Sequence, residues 1–164
     1  MKHTVEAYLD IETTGLMYGS SEITVVGIYL VRGNKTDFVQ FVGKDINADA
    51  ILEALEGVEI IYTYNGSRFD LPFIHSQCGV NLAARFRHRD LMYDCWSKNL
   101  RGGLKGVEKQ VGITRNLPDM NGLEAIKLWW QYVESFDLDA LNKLCEYNKE
   151  DVVNLKTLRD ILIN

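Results

Sequence analysis

Two carboxylates two positions apart, Asp10 and Glu12, follow an apolar stretch near the start of the chain. In a β-strand successive side chains point to opposite faces, so Asp10 and Glu12 share one face and Ile11 points to the other. Neighbouring carboxylates repel each other unless a cation lies between them. Mg²⁺ would resolve that conflict, because it prefers oxygen ligands. Taken alone, the triplet favours the simpler interpretation of two solvent-facing acids on a strand edge.

A third acid, Asp70, closes the segment NGSRFD that begins at Asn65. It lies near the start of a predicted helix, where a negative charge is favourable. An ordinary acid at a helix N-terminus would look the same, and Asn65 could merely serve the turn.

A fourth acid, Asp151, lies in the last predicted helix together with Tyr147. Residues four apart share one helix face, so both side chains can point into one site. Val152, Leu155 and Leu158 would pack nearby and make that face partly buried. An acid that faces a sheet needs a partner, which a metal site supplies. The alternative is a surface acid beside a core tyrosine.

The elements that must position these residues follow from apolar periodicity and turn residues. Strands are predicted over 4–11, 22–32, 36–42, 58–64 and 86–92. Helices are predicted over 45–56, 68–78, 93–100, 104–111, 121–135 and 138–162. Three antiparallel strands, then alternating helices and strands, indicate an α/β fold with a mixed five-stranded sheet and helices on both faces. We expect residues 1–164 to form one domain.

The bulk composition is typical of a globular protein, with 46% apolar and 25% charged residues. No apolar run approaches the roughly 20 residues that span a bilayer, and no signal-peptide pattern is present. We therefore expect a cytoplasmic protein without a membrane partner. Cys78, Cys95 and Cys145 are odd in number and form no CxxC pair, which favours reduced, mostly buried thiols over zinc ligands or disulfides.

The net charge of −5 is opposite in sign to what phosphate binding favours. The charge is unevenly distributed, however. Residues 85–115, called the basic segment below, contain eight Lys and Arg residues against three acids, a net charge of +5 that leaves −10 for the rest. Part of that negative charge belongs to the four acids above, which metal ions would neutralise. By itself a basic segment favours a solvated face.

The three motifs together resemble the DEDD exonuclease superfamily. In that family the first motif contains Asp-x-Glu, the second an Asp, and the third Tyr-x-x-x-Asp or His-x-x-x-x-Asp. Here they read DIETTG, YNGSRFD and YNKED. Because Glu146 stands where the histidine form requires His, the third motif matches the tyrosine subclass.

Two further segments extend the resemblance. The Asn-x-x-x-Phe-Asp form of the second motif is similar to proofreading domains of family B polymerases. GGLKGVEKQVGI, at 102–113, is similar to a Leu-Lys-x-x-Glu stretch that relatives carry between the second and third motifs. The resemblance runs from the first strand to the last helix and implies a ribonuclease H-like fold.

The resemblance also implies a two-metal-ion site that hydrolyses phosphodiester bonds from a free 3′ end. Two divalent cations, Mg²⁺ or Mn²⁺, would be held by Asp10, Glu12, Asp70 and Asp151. Asp10 would bridge both ions, and Tyr147 would orient the attacking water. Because a free phenol has a pKa near 10, we favour a positioning role for Tyr147 over that of a base. The products would be nucleoside 5′-monophosphates, released from single-stranded DNA or RNA.

Substrate contacts are implied by the same resemblance. Relatives hold the terminal nucleotide with the turn after the first motif, which implies roles for Thr13, Thr14 and Leu16, with Leu16 against the base. Asn65 could contact the penultimate nucleotide. Phe69 could lie near the strand, and a core position suits it at least as well.

No tryptophan or histidine side chain is assigned to the predicted site. Adjacent helical residues diverge by about 100°, so we expect one of Trp129 and Trp130 in the core and the other on the surface. His3, His75 and His88 are interpreted as structural or surface residues.

Other functions remain open from the sequence. A ribonuclease H-type endonuclease would use a similar carboxylate site, although Tyr147 favours the exonuclease. A catalytically silent nucleic-acid-binding module would keep the fold, although the presence of all four acids and Tyr147 favours an enzyme. An unrelated α/β protein with chance acids is a third interpretation. A homo-oligomer could supply an acidic nuclease with a substrate channel.

Overall fold

The computed structural model describes residues 3–163. The strands in this range are β1 (Val5–Thr13), β2 (Ile23–Arg32), β3 (Lys35–Val42), β4 (Ile60–Thr63) and β5 (Arg87–Asp90). The α-helices in it are α1 (Ala48–Ala54), α2 (Asp70–Cys78), α3 (Leu82–Arg85), α4 (Leu91–Ser97), α5 (Leu104–Val111), α6 (Gly122–Ser135) and α7 (Leu138–Leu162). A short 3-10 turn at Gly43–Asp45 links β3 to α1.

The strands form one sheet in the order β3-β2-β1-β4-β5. β1 lies at its centre, antiparallel to β2 and parallel to β4. β2 pairs with β3 antiparallel, and β4 pairs with β5 parallel. The register places Asp10 opposite Gly27 and Glu12 opposite Val25 of β2. The first acid pair therefore lies on the central strand, where helices can reach it.

Each face of the sheet is covered by a different set of helices. On one face, Leu9 and Ile11 join a buried cluster that includes Ile51 of α1 and Phe73 of α2. On the other, Tyr8 packs in a cluster with residues of α4, α5 and α7. Since side chains alternate along β1, Asp10 and Glu12 share the α7 face with Tyr8.

The helix that carries Asp151 begins at a capped N-terminus, where the Asp137 carboxylate accepts a hydrogen bond from the Ala140 N–H. Its buried residues include Leu144, Val152 and Leu155, spaced so that one stripe faces the sheet and α6. That stripe fixes the rotation of α7 about its own axis.

The predicted architecture is confirmed: a mixed five-stranded sheet with helices on both faces. Several boundaries differ from expectation. β1 continues to Thr13 rather than ending at 11, and α1 is shorter than the predicted helix over 45–56. α4 begins at Leu91 instead of 93, because the Asp90 side chain caps it by accepting from the Met92 N–H. The four-residue helix α3 was not predicted.

Within residues 3–163, no helix has the length and apolar character needed to cross a membrane.

Candidate metal centre

Three carboxylates converge on one point of the α7 face of the sheet. Asp10 and Glu12 extend from β1 and Asp151 from α7, and one ligand oxygen from each lies within 4.8 Å of the others. Glu12 and Asp151 each retain 8% of their surface, whereas Asp10 is half-buried. All the donors are carboxylate oxygens, the ligands that Mg²⁺ and Mn²⁺ favour.

Asp70 contacts the backbone of the strand that carries Asp10 and Glu12. It is the first residue of α2, and its Oδ2 accepts a hydrogen bond from the Ile11 N–H at 3.0 Å. Ile11 lies between Asp10 and Glu12, so the Asp70 carboxylate is held at the backbone of the acid pair. With 3% of its surface exposed, Asp70 is positioned to serve as a further oxygen donor.

Burial raises the pKa of all four carboxyl groups above the ordinary range for acids. The charge of Asp151 raises the pKa values of Asp10 and Glu12 further. The pKa of Asp70 reaches about 7 and that of Asp151 about 6. Like charges this close are costly to ionise together. A divalent cation would remove the cost, and the residues present fit one.

Asn148 fixes the position of Asp10. Its Nδ2 donates to the Asp10 carbonyl oxygen and to Asp10 Oδ2, both at 3.2 Å. Its Oδ1 accepts from Gln40 Nε2 at 2.9 Å, and the same nitrogen donates to the Cys145 carbonyl. The fully buried amide therefore connects α7, β1 and β3 through hydrogen bonds.

Arg115 holds Asp151 from the opposite side. Arg115 Nη2 lies 2.5 Å from Asp151 Oδ1 and 2.5 Å from Glu108 Oε1, and Arg115 Nε donates to Glu108 Oε2 at 2.7 Å. Glu108 is buried and also accepts from Asn154 Nδ2 at 3.1 Å. One oxygen of Asp151 is thus occupied by a guanidinium, and its partial neutralisation counters the effect of burial on its pKa.

Tyr147 lies one helical turn before Asp151 and is buried beside two cations. Lys105 Nζ is 4.8 Å from the centre of its ring, and Arg115 Cζ is 5.8 Å from it. Burial, and then the nearby carboxylates, raise the pKa of the Tyr147 phenol. Burial lowers the pKa of Lys105. Among the described residues, Lys105 Nζ has no hydrogen-bond partner although it is itself buried.

Three residues expected to contact substrate, Thr13, Thr14 and Leu16, lie at or just after the end of β1. The two threonine hydroxyls are hydrogen-bonded within the turn, whereas the Leu16 side chain is exposed. Thr13 Oγ1 donates to the Gly15 carbonyl at 2.5 Å, and Thr14 Oγ1 accepts from the Glu22 N–H at 2.9 Å. Both hydroxyls thus stabilise the turn. Leu16 projects from it with 83% of its surface exposed.

The second-motif loop is held from beneath by Asp90. Asn65 has a left-handed backbone, with φ 61°, and its N–H donates to Asp90 Oδ1 at 2.8 Å. Ser67 donates to Asp90 Oδ2. Phe69 packs edge-on against Phe73 and the core cluster beneath α2. Phe69 is half-buried, so it packs on the core and also keeps an exposed part.

Four residues of this region were not assigned to the site from sequence, and they are Lys105, Glu108, Arg115 and Asn148. Lys105 and Glu108 are the Lys and Glu of the Leu-Lys-x-x-Glu stretch. That stretch extended the family resemblance but did not indicate a role for either residue. Asn148 lies inside YNKED. Arg115 was counted only as one member of the basic segment.

The other side chains lie outside the site. Trp129 is half-buried and packs against the α6–α7 cluster, whereas Trp130 is exposed. His88 Nε2 lies 2.8 Å from Thr63 Oγ1, away from the acids. The three cysteines are free, but Cys95 alone is fully buried, and Cys78 and Cys145 are half-buried.

Solved structures share this architecture, whereas no curated protein sequence matches the chain. A family B DNA polymerase from the hyperthermophilic archaeon Pyrobaculum calidifontis has a TM-score of 0.70 at 13% identity, over 98% of this chain. The chain spans only 25% of that polymerase. Brucella melitensis NrnC with bound Mg²⁺ has a TM-score of 0.64 at 20% identity, covering 98% of this chain and 73% of NrnC.

A third structure with this fold is the complex of E. coli ExoI with single-stranded DNA and zinc. Its TM-score is 0.52 at 16% identity, over 83% of this chain and 42% of ExoI. At these identities all three similarities establish the fold.

The sequence itself matches a family model over nearly its whole length. The model describes the RNase_H superfamily and matches residues 7–163. This span runs from β1 to α7 and contains all four acids and Tyr147. The ribonuclease H-like fold expected from the motifs is thereby confirmed, and the chain belongs to the RNase H superfamily.

Proposed function

We propose that this chain is a divalent-metal-dependent 3′→5′ exonuclease that acts on single-stranded nucleic acid. The observation that carries the proposal is the convergence of Asp10, Glu12 and Asp151 within 4.8 Å. Asp70 is bonded to the same strand, and Tyr147 lies one turn from Asp151 on the same helix. This combination of four acids and a tyrosine is the one that the motifs predict for the tyrosine subclass.

Two Mg²⁺ or Mn²⁺ ions are the proposed cofactors. Asp10 would bridge the two ions. Glu12 and Asp151 would bind one ion, and Asp70 would bind the other. When bound, such a pair activates water and stabilises the attacking and leaving oxygens of an in-line phosphoryl displacement. NrnC, which shares the fold, has been observed with Mg²⁺, and this supports the choice of metal.

The protein's own groups would supply orientation. The Tyr147 hydroxyl, beside the carboxylates, can accept and donate a hydrogen bond and so fix the direction of the attacking water. Lys105 Nζ, 4.8 Å from the Tyr147 ring, is a compact cation suited to a non-bridging phosphate oxygen. Arg115, already paired with the carboxylates of Glu108, Glu150 and Asp151, would instead keep Asp151 in place.

The proposed substrate is a strand with a free 3′ end. Exposed Leu16 would pack against the terminal base, and the turn that Thr13 and Thr14 stabilise would contact the same nucleotide. Asn65 would contact the next nucleotide from the second-motif loop. ExoI with single-stranded DNA and NrnC with pGG share the fold, which supports a nucleic-acid ligand for this chain.

The test is degradation of 5′-labelled single strands of DNA and RNA in Mg²⁺ or Mn²⁺. We expect a ladder that shortens from the 3′ end and yields nucleoside 5′-monophosphates, and no attack when the 3′ end is blocked. Cleavage of the blocked strand within its length would instead identify an endonuclease of the ribonuclease H type.

Two variants separate the proposed site from contaminating activity. Asp10→Asn removes a ligand charge with little change of shape and should abolish turnover. Asp139→Asn is the matched control, because Asp139 is an exposed acid in the first turn of α7. Activity that persists in Asp10→Asn would contradict the proposal. Absence of both hydrolysis and Mn²⁺ binding in the wild type would favour the silent binding module.

A further inference from the structure

A cluster of aromatic rings and guanidinium groups lies outside the metal centre, on segments that precede Asp70 and Lys105 in the chain. Its members, called the aromatic–arginine patch, are Arg68, Tyr93, Trp96 and Arg101. The Tyr93 and Trp96 rings meet edge to face with centres 5.3 Å apart. Arg68 Cζ lies 5.7 Å and Arg101 Cζ 5.3 Å from the centre of the Trp96 ring, and Arg68 also lies 5.9 Å from Tyr93.

The two guanidinium groups of the patch are not neutralised by carboxylates. Among the described residues, neither Arg68 nor Arg101 forms an ion pair. The acids nearby in the chain are already used: Asp94 is bound by Arg89, and Asp90 caps α4 and holds the second-motif loop. Two exposed cations within 6 Å of one ring repel each other, so an anionic partner is electrostatically favoured.

Two short chain segments connect the patch to residues of the metal centre. Arg68 precedes Asp70 by two residues, so their Cα atoms are at most about 7 Å apart. Arg101 precedes Gly102, whose carbonyl accepts from the Tyr64 hydroxyl at 2.6 Å, and α5 with Lys105 follows. Since Tyr64 itself follows β4, this bond joins the loop before Asp70 to the start of α5.

We propose that the aromatic–arginine patch binds the part of a single-stranded nucleic acid that lies outside the carboxylate pocket. The inference rests on the proposed function and adds where the rest of the strand runs. Guanidinium planes and aromatic rings stack on unpaired bases, and guanidinium groups also pair with phosphates. The patch supplies both kinds of group, with Tyr93 retaining 43% of its surface.

The patch takes Arg101 and both of its aromatic rings from the basic segment. An acidic protein surface would satisfy the charge of the two arginines but would not use the rings. A nucleic-acid strand uses both kinds of group, because its phosphates pair with guanidinium groups and its bases stack on rings. Base stacking places no demand on sequence. A nonspecific strand is therefore the occupant that the chemistry favours.

The experiment measures equilibrium binding of 5′-fluorescein-labelled oligothymidylates by fluorescence anisotropy in EDTA, where hydrolysis is prevented. A 12-nucleotide strand is compared with a dinucleotide. We expect Trp96→Ala to weaken binding of the 12-mer roughly 5- to 100-fold. Arg101→Gln should lower the slope of log affinity against log salt by about one. Both variants should leave dinucleotide affinity unchanged.

Matched controls come from the same chain. Trp130→Ala removes an exposed tryptophan of α6, and Arg87→Gln removes an exposed arginine of the basic segment that contacts no ring. Both should bind the 12-mer like the wild type. Equal losses in the controls, unchanged 12-mer affinity in the patch variants, or competition by polyglutamate as strong as by unlabelled strand would each overturn the inference.

Loss of strand binding can be distinguished from loss of stability and from loss of hydrolysis. Arg101 is exposed, so Arg101→Gln tests the patch even if Trp96→Ala lowers Tm. If the wild type binds the 12-mer through the patch but hydrolyses nothing, the inference stands and the proposed exonuclease function fails. If the wild type shortens strands from the 3′ end while the patch variants bind normally, the exonuclease stands and the patch assignment fails.

Discussion

Asp151 is held between opposing forces. Asp10 and Glu12 repel it from one side, and Arg115, in contact at 2.5 Å, attracts it from the other. Arg115 is in turn fixed by Glu108, which is almost completely buried. The arginine therefore limits the rotation of the Asp151 carboxylate, which is a proposed metal ligand.

Removal of the Arg115 charge should destabilise the fold strongly. Arg115→Gln leaves Glu108 as a buried carboxylate without a countercharge, which costs about 3–5 kcal/mol in comparable buried pairs. Urea unfolding of the metal-free protein measures the loss. Arg87→Gln, at an exposed site, should change the free energy of unfolding by less than about 0.5 kcal/mol. Equal stability of both variants would show that the buried pair contributes nothing.

Tyr147 should affect turnover rather than metal binding. Tyr147→Phe keeps the ring against Lys105 and removes only the hydroxyl, so we expect kcat to fall about 100-fold with Mn²⁺ affinity unchanged. Steady-state hydrolysis and Mn²⁺ titration measure the two quantities. Tyr132→Phe, on α6, is the control and should retain full kcat. A Tyr147→Phe enzyme with wild-type kcat would remove Tyr147 from the proposed mechanism.

For individual residues, the sequence predicted the positions of the acids better than those of the residues that hold them. Asp10 and Glu12 could be placed on one face because strand alternation is a fixed rule, and Asp151 followed from helical spacing. Arg115 could not be placed, because its partner Glu108 lies in a different segment across a helix end. The charge pattern of the basic segment gave no sign that one arginine turns inward.

Helix α7 packs closely on the sheet at a position where β2 has a glycine. A Cβ on Gly27 would lie 2.1 Å from Asn148 Oδ1, and Asn148 is the residue that fixes Asp10. The absence of a side chain at Gly27 thus allows the amide to sit between β1 and α7. Strand β2 contributes to the metal centre by leaving room for it.

Gly27→Ala should therefore move α7 away from the acid pair. Overpacking of this kind costs typically about 1–3 kcal/mol, and displacement of Asn148 should also weaken Mn²⁺ binding. Thermal unfolding and Mn²⁺ titration test the two effects. Gly122→Ala is the control, since a Cβ there meets nothing within 4 Å, and it should be neutral or slightly stabilising. Wild-type Mn²⁺ affinity in Gly27→Ala would contradict this account.

Element boundaries were predictable where capping and periodicity act together. Helix α7 matches its predicted range of 138–162, because Asp137 caps it and its apolar stripe is long. Helix α3 was missed because four residues are too few to show a period. The start of α4 was misplaced because Asp90 ends a strand and caps a helix at once.

For the whole molecule, the order of elements was enough to predict the layers. Three antiparallel strands and two parallel ones, with helices between them, leave few ways to cover both faces of a sheet. The uneven charge was also visible from sequence. The sequence did not show where the basic segment lies relative to the four acids, because that position depends on how α4 and α5 pack.

The metal-free protein should lose stability as pH rises from about 4 to 7. Burial raises the pKa of Asp70 to about 7 and of Asp151 to about 6, so the folded state binds more protons than the unfolded state across that window. The free energy of unfolding then decreases with pH. In EDTA, Tm should be lower at pH 7.5 than at pH 5.5, by roughly 2–4 °C for each 1 kcal/mol.

Mn²⁺ should remove this pH effect, and its own affinity should rise over the same window because only ionised carboxylates bind it. The lowered pKa of His88 acts in the opposite direction. Asp70→Asn therefore serves as the comparison, since it isolates one carboxyl and should reduce the difference between the two pH values. A difference of the same size in wild type and Asp70→Asn would rule Asp70 out as its cause.

The most direct measurement is an anomalous difference map from crystals of the protein soaked in Mn²⁺. The account predicts a strong peak between the carboxylates of Asp10, Glu12 and Asp151, and a second near Asp10 and Asp70 when a strand is bound. It also predicts that the first peak is lost in Asp151→Asn. Manganese absent from this position in well-ordered wild-type crystals, or bound only elsewhere on the surface, would contradict it.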